Sequence, residues 1–66
     1  MTRNKITFDK GRVIEVGKTY KGNNGATFTV ESIWSDKYSN TISYRLADGR
    51  CGDTPFNSMY WWIWGA

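Results

Sequence analysis

Ala26-Thr-Phe-Thr-Val30 and Thr41-Ile-Ser-Tyr-Arg-Leu46 are the two runs whose reading decides how this chain folds. In the first, Ala26, Phe28 and Val30 share one parity; in the second, Ile42, Tyr44 and Leu46 do. Successive side chains of a strand point to opposite faces, so each run has one apolar and one polar side. Both are rich in β-branched and aromatic residues, which suit a half-buried pleated surface. The reading is an antiparallel pair with its apolar faces turned to a common core.

Outward from this pair, Gly22-Asn-Asn-Gly25 leads into the first run as a tight turn, because Gly and Asn tolerate positive φ. Upstream, Ile6 and Phe8 alternate with Lys5 and Thr7, Asp9-Lys-Gly11 is a turn, and residues 12–16 form a second β-prone run that Gly17-Lys18 interrupts before Thr19-Tyr20. Downstream, the alternation slips at Ser32-Ile33-Trp34, which predicts a bulge near Glu31-Ser32. Residues 35–40 read as a polar loop, Asp48-Gly49 as a hairpin turn, Arg50-Cys51 as a short return strand and Gly52-Asp53 as another turn.

The tail carries two signals. Thr54-Pro55 reads as an N-cap followed by a first helical residue, and Phe56, Met59, Tyr60 and Ile63 fall at helical spacing. Tyr60-Trp-Trp-Ile-Trp64 has the composition of a strand apolar on both faces. The expectation is one helical or 3₁₀ turn over residues 55–59 and a strand over 60–64. The fold class expected is all-β: a small closed or nearly closed barrel of five or six short antiparallel strands, which would leave few edges open to aggregation.

Sixty-six residues make one domain near the lower size limit for unaided folding. At this size a single core supplies only about 3–5 kcal/mol. With one cysteine, Cys51, no intrachain disulfide can reinforce it, so the eleven aromatic residues are the compensation. A lone cysteine fits a reducing compartment, no apolar run is long enough for a membrane span, and residues 1–5 are followed by no signal-like apolar segment. The expectation is a soluble, cytoplasmic protein (host cytoplasm, if phage-encoded). Net charge is +3 and uneven: residues 1–21 hold six basic and two acidic side chains, the remainder three and four.

Val16-Gly-Lys-Thr-Tyr20, then Gly25-x-x-Phe28-x-Val30-x-x-Ile33, then Ile42-x-Tyr44-Arg45, Asp48-Gly49 and Phe56 resemble small SH3-like barrel proteins of bacteria and their phages. The resemblance covers about forty residues, 16 to 56, and rests mostly on turn glycines and core aromatics. It implies a single SH3-like barrel domain over residues 1–66, and it says little about activity, since such folds host nucleic-acid, peptide and inhibitor functions alike. The basic segment 1–15 and the aromatic-rich segment 54–66 lie largely outside it.

No catalytic constellation stands out. Gly11-Arg-Val-Ile-Glu-Val-Gly17-Lys18-Thr19 approaches a phosphate-binding loop but has five residues between its glycines instead of four, and its middle is a strand. The chain has no histidine, which removes the usual general base and metal ligand. Asp9, Glu15, Glu31, Asp36, Asp48 and Asp53 are mostly in turns, and Cys51, beside Arg50 but without a His partner, reads as a buried strand thiol. The expectation is no enzyme, no metal and no cofactor.

The concentration of rings at the end is the most informative feature: Phe56, Tyr60, Trp61, Trp62 and Trp64. Phe56 and Ile63 are assigned to the core, whereas one or two of Trp61, Trp62 and Trp64 are expected to be exposed or at an interface. The first functional reading is therefore an interaction module in which Trp34, Tyr38, Tyr60, Trp61, Trp62 and Trp64 dock an unidentified partner protein or a second copy, as a phage-type inhibitor of a host protein would. The second is nucleic-acid binding, with Arg3, Lys5, Lys10, Arg12, Lys18 and Lys21 on phosphates and exposed rings stacking bases. The third is a nucleotide or small-ligand binder whose aromatic site, for want of internal room, lies between copies.

Overall fold

The structure, a computed structural model, describes residues 2–65. The chain runs through β1 (Thr2–Arg3), β2 (Lys5–Thr7), a 3₁₀ turn (Asp9–Gly11), β3 (Val13–Glu15), β4 (Thr19–Lys21), β5 (Thr27–Ser35), β6 (Asn40–Leu46), β7 (Cys51–Pro55) and α1 (Phe56–Trp64). It is mostly antiparallel β-sheet with one short C-terminal helix.

The pair predicted from alternation is the centre of the molecule. β5 and β6 run antiparallel with Phe28 opposite Leu46, Val30 opposite Tyr44 and Ile33 opposite Ile42. The register slips between Val30 and Ser32, leaving Glu31 as the extra residue. The bulge explains why the buried parity changes from even (Phe28, Val30) to odd (Ile33, Ser35) along one strand. β7 pairs with β6, while β4 and β1 share the other edge of β5 at its two ends. Ala26 lies just outside β5 and is exposed, so the apolar face begins at Phe28.

β2 and β3 form a separate two-stranded sheet with Ile6 opposite Ile14. Val16 N–H donating to Asn4 O (2.9 Å) continues that hairpin, and the turn after β3 ties it to the larger sheet through Gly17 N–H to Val30 O (2.8 Å) and Val30 N–H to Lys18 O (3.0 Å). The Tyr20 hydroxyl braces the same region, accepting from Glu15 N–H at 2.8 Å and donating to Val13 O at 3.2 Å. Ile6, Ile14, Phe28, Val30, Ile33, Ile42 and Met59 make the buried core.

Five expectations need correction. Both sheets are open: among the described residues the strand pairing does not close into a barrel, because β7 pairs only with β6 and the core is capped by α1. Residues 60–64 are the end of α1, not a strand; β7 already covers β6, and the helical spacing of Phe56, Met59 and Ile63 puts those three side chains on the core. Thr54 is not the N-cap. It is buried in β7 opposite Ile42, and Pro55 takes the cap position with φ −61° and ψ 151°. Gly52-Asp53 is strand, not turn, since the Tyr44 ring lies across Gly52 so closely that a Cβ there would sit 2.6 Å from Tyr44 Oη. In the same strand Cys51 is exposed, not buried: it faces Arg45 on the polar side of the sheet.

Candidate aromatic docking site

Met59 is the residue of α1 that enters the core completely. Helical geometry turns Trp61, two positions on, away from Met59 and sets Trp62, three positions on, beside it at the edge of the core; they stand 64% and 37% exposed. Each borders a hollow. On one side Trp62 joins Phe28, Tyr44 and Leu46 of the sheet and Asn23 and Asn24 of the β4–β5 turn around a cleft of about 300 Å³. On the other, Trp61 joins Phe8, Phe56 and Tyr60 around a shallower hollow of about 210 Å³, with Asp9 and Asn57 on its border.

The rings are held by one another. Trp62 meets Tyr44 edge to face, with centroids 5.4 Å apart and planes at 90°, and meets Phe28 at 6.0 Å and 78°. Tyr60 packs on Phe8 at 4.8 Å and on Trp64 at 5.2 Å. Tyr60 and Trp64 are thus partly buried, and the Arg12 guanidinium covers both, 5.8 and 5.7 Å from their centroids, while donating to Tyr60 Oη at 2.8 Å.

The six rings singled out in the sequence do not form one patch. Tyr60, Trp61, Trp62 and Trp64 are gathered on α1. Trp34 lies between buried Ile33 and buried Ser35, so it projects from the opposite face of the sheet, in a row with Thr2, Thr41 and Pro55. Tyr38 is in the β5–β6 loop and is 87% exposed. Asp36 Oδ1 shapes that loop by accepting from Tyr38 N–H and Ser39 N–H, both at 2.8 Å, which holds its carboxyl below the usual carboxylate range.

The six candidate phosphate ligands are dispersed as well. Arg12 is committed to the rings, and Lys18 Nζ lies 3.5 Å from Glu15. Arg3, Lys5, Lys10 and Lys21 are exposed on four separate elements, without an ion pair among the described residues. Among the described residues no group of three or more His, Cys, Asp or Glu could hold a metal ion. None of their helices is long and apolar enough to cross a membrane.

Sequence reasoning missed the cleft. Asn23 and Asn24 were legible only as turn residues, and Phe28 and Tyr44 only as core. The cleft also lies within a single copy of the chain, where a site between copies was expected. No family model, curated protein or solved structure matches this chain.

Proposed function

We propose that this chain is a non-catalytic interaction module that docks a partner protein through the aromatic face of α1, in the manner of a phage-encoded modulator of a host protein. The observation that supports it is the pair of adjacent exposed indoles, Trp61 and Trp62, standing between two concave, ring-lined hollows. The core does not need Trp61, since Met59, Phe56 and Ile63 supply the packing beneath it. Exposed tryptophans beside hollows are the composition of binding hot spots.

The same reading takes the fold as SH3-like, in a partly open form. Its support is the bulge that bends β5 at Glu31 and the backbone bonds that join the β2–β3 hairpin to the middle of that strand. Nucleic-acid binding through the basic residues has weaker support, because Arg12 and Lys18 are engaged within the chain.

The experiment is affinity capture from cytoplasmic extract with nuclease present, comparing the wild type with Trp61→Ala and Trp34→Ala. A partner retained by the wild type and Trp34→Ala but lost by Trp61→Ala supports the reading. Capture that nuclease abolishes, or that Trp61→Ala leaves intact, defeats it.

A further inference from the structure

The cleft beside Trp62 has a chemistry that narrows what can enter it. At about 300 Å³ it lies at the low end of ligand pockets, which run roughly 300–1,000 Å³, so it holds one ring system. Its aromatic walls touch one another edge to face: Phe28–Tyr44 centroids are 6.0 Å apart, similar to the Trp62 pairs. Phe28 is buried at the base of the cleft, and the more exposed Trp62 and Tyr44 present aromatic surface on which a planar guest can pack.

The rim offers one acceptor and one donor. Asn23 Nδ2 donates to Trp61 O and to Gly65 O, so its Oδ1 remains an open acceptor. Asn24 is reversed: Oδ1 accepts from Ala26 N–H at 3.0 Å, so its amide NH₂ remains an open donor. No charged residue lines the cleft. The cations on the adjoining strands are paired, Arg45 with Glu31 at 2.8 Å and Arg50 with Asp48 at 2.7 Å. Lys21 alternates with Tyr20, whose ring packs toward Phe28, so Lys21 leaves β4 on the far side. A nucleic acid placing a base here would find no cation waiting for its phosphates.

We propose that this cleft is the specificity pocket of the docking surface and takes one uncharged aromatic side chain with a polar edge from the partner protein, tyrosine in preference to tryptophan. Tyrosine both donates and accepts through one hydroxyl, matching the two open amide groups; tryptophan only donates; phenylalanine does neither. The assignment rests on the protein-docking reading above.

The test is titration of the ¹⁵N-labelled full chain with N-acetyl-tyrosinamide, N-acetyl-tryptophanamide, N-acetyl-phenylalaninamide and uridine monophosphate. The expected result is saturable shifts at Asn23, Asn24 and the Trp62 indole, with the tyrosine probe binding about fivefold tighter than the phenylalanine probe, the worth of one net hydrogen bond. Gly52→Ala, whose new methyl would meet Tyr44 Oη at 2.6 Å and Cζ at 2.8 Å, should displace that ring and weaken the tyrosine probe at least fivefold. Trp34→Ala, on the opposite face of the sheet, should leave it unchanged. Tyr44→Leu provides a second route to the same loss should Gly52→Ala fail to fold.

Tighter binding of uridine monophosphate than of the tyrosine probe overturns the proposal, as does equal binding of the phenylalanine probe or the absence of saturable shifts. If the probes fail while partner capture still depends on Trp61, the pocket assignment falls and the docking reading stands. If capture is indifferent to Trp61, the docking reading falls and takes the partner assignment with it.

Discussion

Asn23 fastens the last turn of α1 from outside the helix. Its backbone N–H donates to Trp62 O at 2.6 Å, and its side-chain Nδ2 donates to Trp61 O at 2.9 Å and to Gly65 O. The last carbonyls of a helix have no partner within it. Here the β4–β5 turn supplies the donors, so one residue joins the sheet to the helix that carries the exposed indoles.

Asn23→Ala keeps the backbone bond to Trp62 O, and Trp61 O keeps the Gly65 N–H, so the variant deprives Gly65 O of its donor and should destabilise the protein by about 1 kcal/mol. For a domain of this size that lowers Tm by roughly 4–8 °C per kcal/mol, measurable by circular dichroism. Asn23→Asp should be worse, since it replaces the donor with a negative acceptor at the negative end of the helix dipole.

Met59 and Trp61 are two positions apart on α1 and should behave in opposite ways. Met59 is fully buried, and Met59→Ala should cost about 2–5 kcal/mol, comparable with everything such a core supplies. That variant should be largely unfolded in urea titration at 25 °C. Trp61→Ala removes an exposed ring and should shift stability by no more than about 0.5 kcal/mol.

Arg12 is held by rings, not by an acid. Arg12→Ala removes the hydrogen bond to Tyr60 and the cover over Tyr60 and Trp64, and should destabilise by about 1–2 kcal/mol. Arg12→Lys should recover only part of this, because an ammonium lacks the flat stacking surface. Equal stability of all three proteins in thermal unfolding would contradict the assigned role.

Lys10 adopts φ 66° and ψ 24° in the 3₁₀ turn, the left-handed region that a side chain disfavours. Lys10→Gly should relieve that strain and raise stability by about 0.5–1 kcal/mol, against the usual cost of adding a glycine. A lower Tm for this variant would refute the strained geometry.

Asp36 gives the β5–β6 loop a pH dependence. The Tyr38 and Ser39 amides hold its folded carboxyl below the ordinary value of 3.8, with Tyr38 the larger influence. Its contribution is present above the unfolded value and is lost as the pH falls through the lower folded one. The protection of the Tyr38 and Ser39 amides, read as their exchange rate relative to an unstructured peptide at the same pH, should thus fall on acidification below the ordinary carboxylate range. Asp36→Asn, which has no carboxylate to protonate, should flatten that limb.

The parts of the fold legible in the sequence are local ones. Alternation identified β5 and β6, a phase slip located the bulge at Glu31, and Gly22–Gly25 and Asp48-Gly49 marked turns, because each depends on residues a few positions apart. Where two local signals competed, as at Tyr60-Trp-Trp-Ile-Trp64, composition could not choose between strand and helix. Nor could it show that a glycine in the middle of β7 is covered by Tyr44, or that Asn23 reaches a helix about forty residues away.

The sequence by itself determined a β-rich chain without disulfide or histidine, reliant on its rings, because composition and short-range periodicity suffice for that. Tertiary structure alone decided which rings are buried, which flank a cleft and that Trp34 is turned from the others. Burial is settled by what packs opposite a residue, and those opposing groups come from distant positions in the chain.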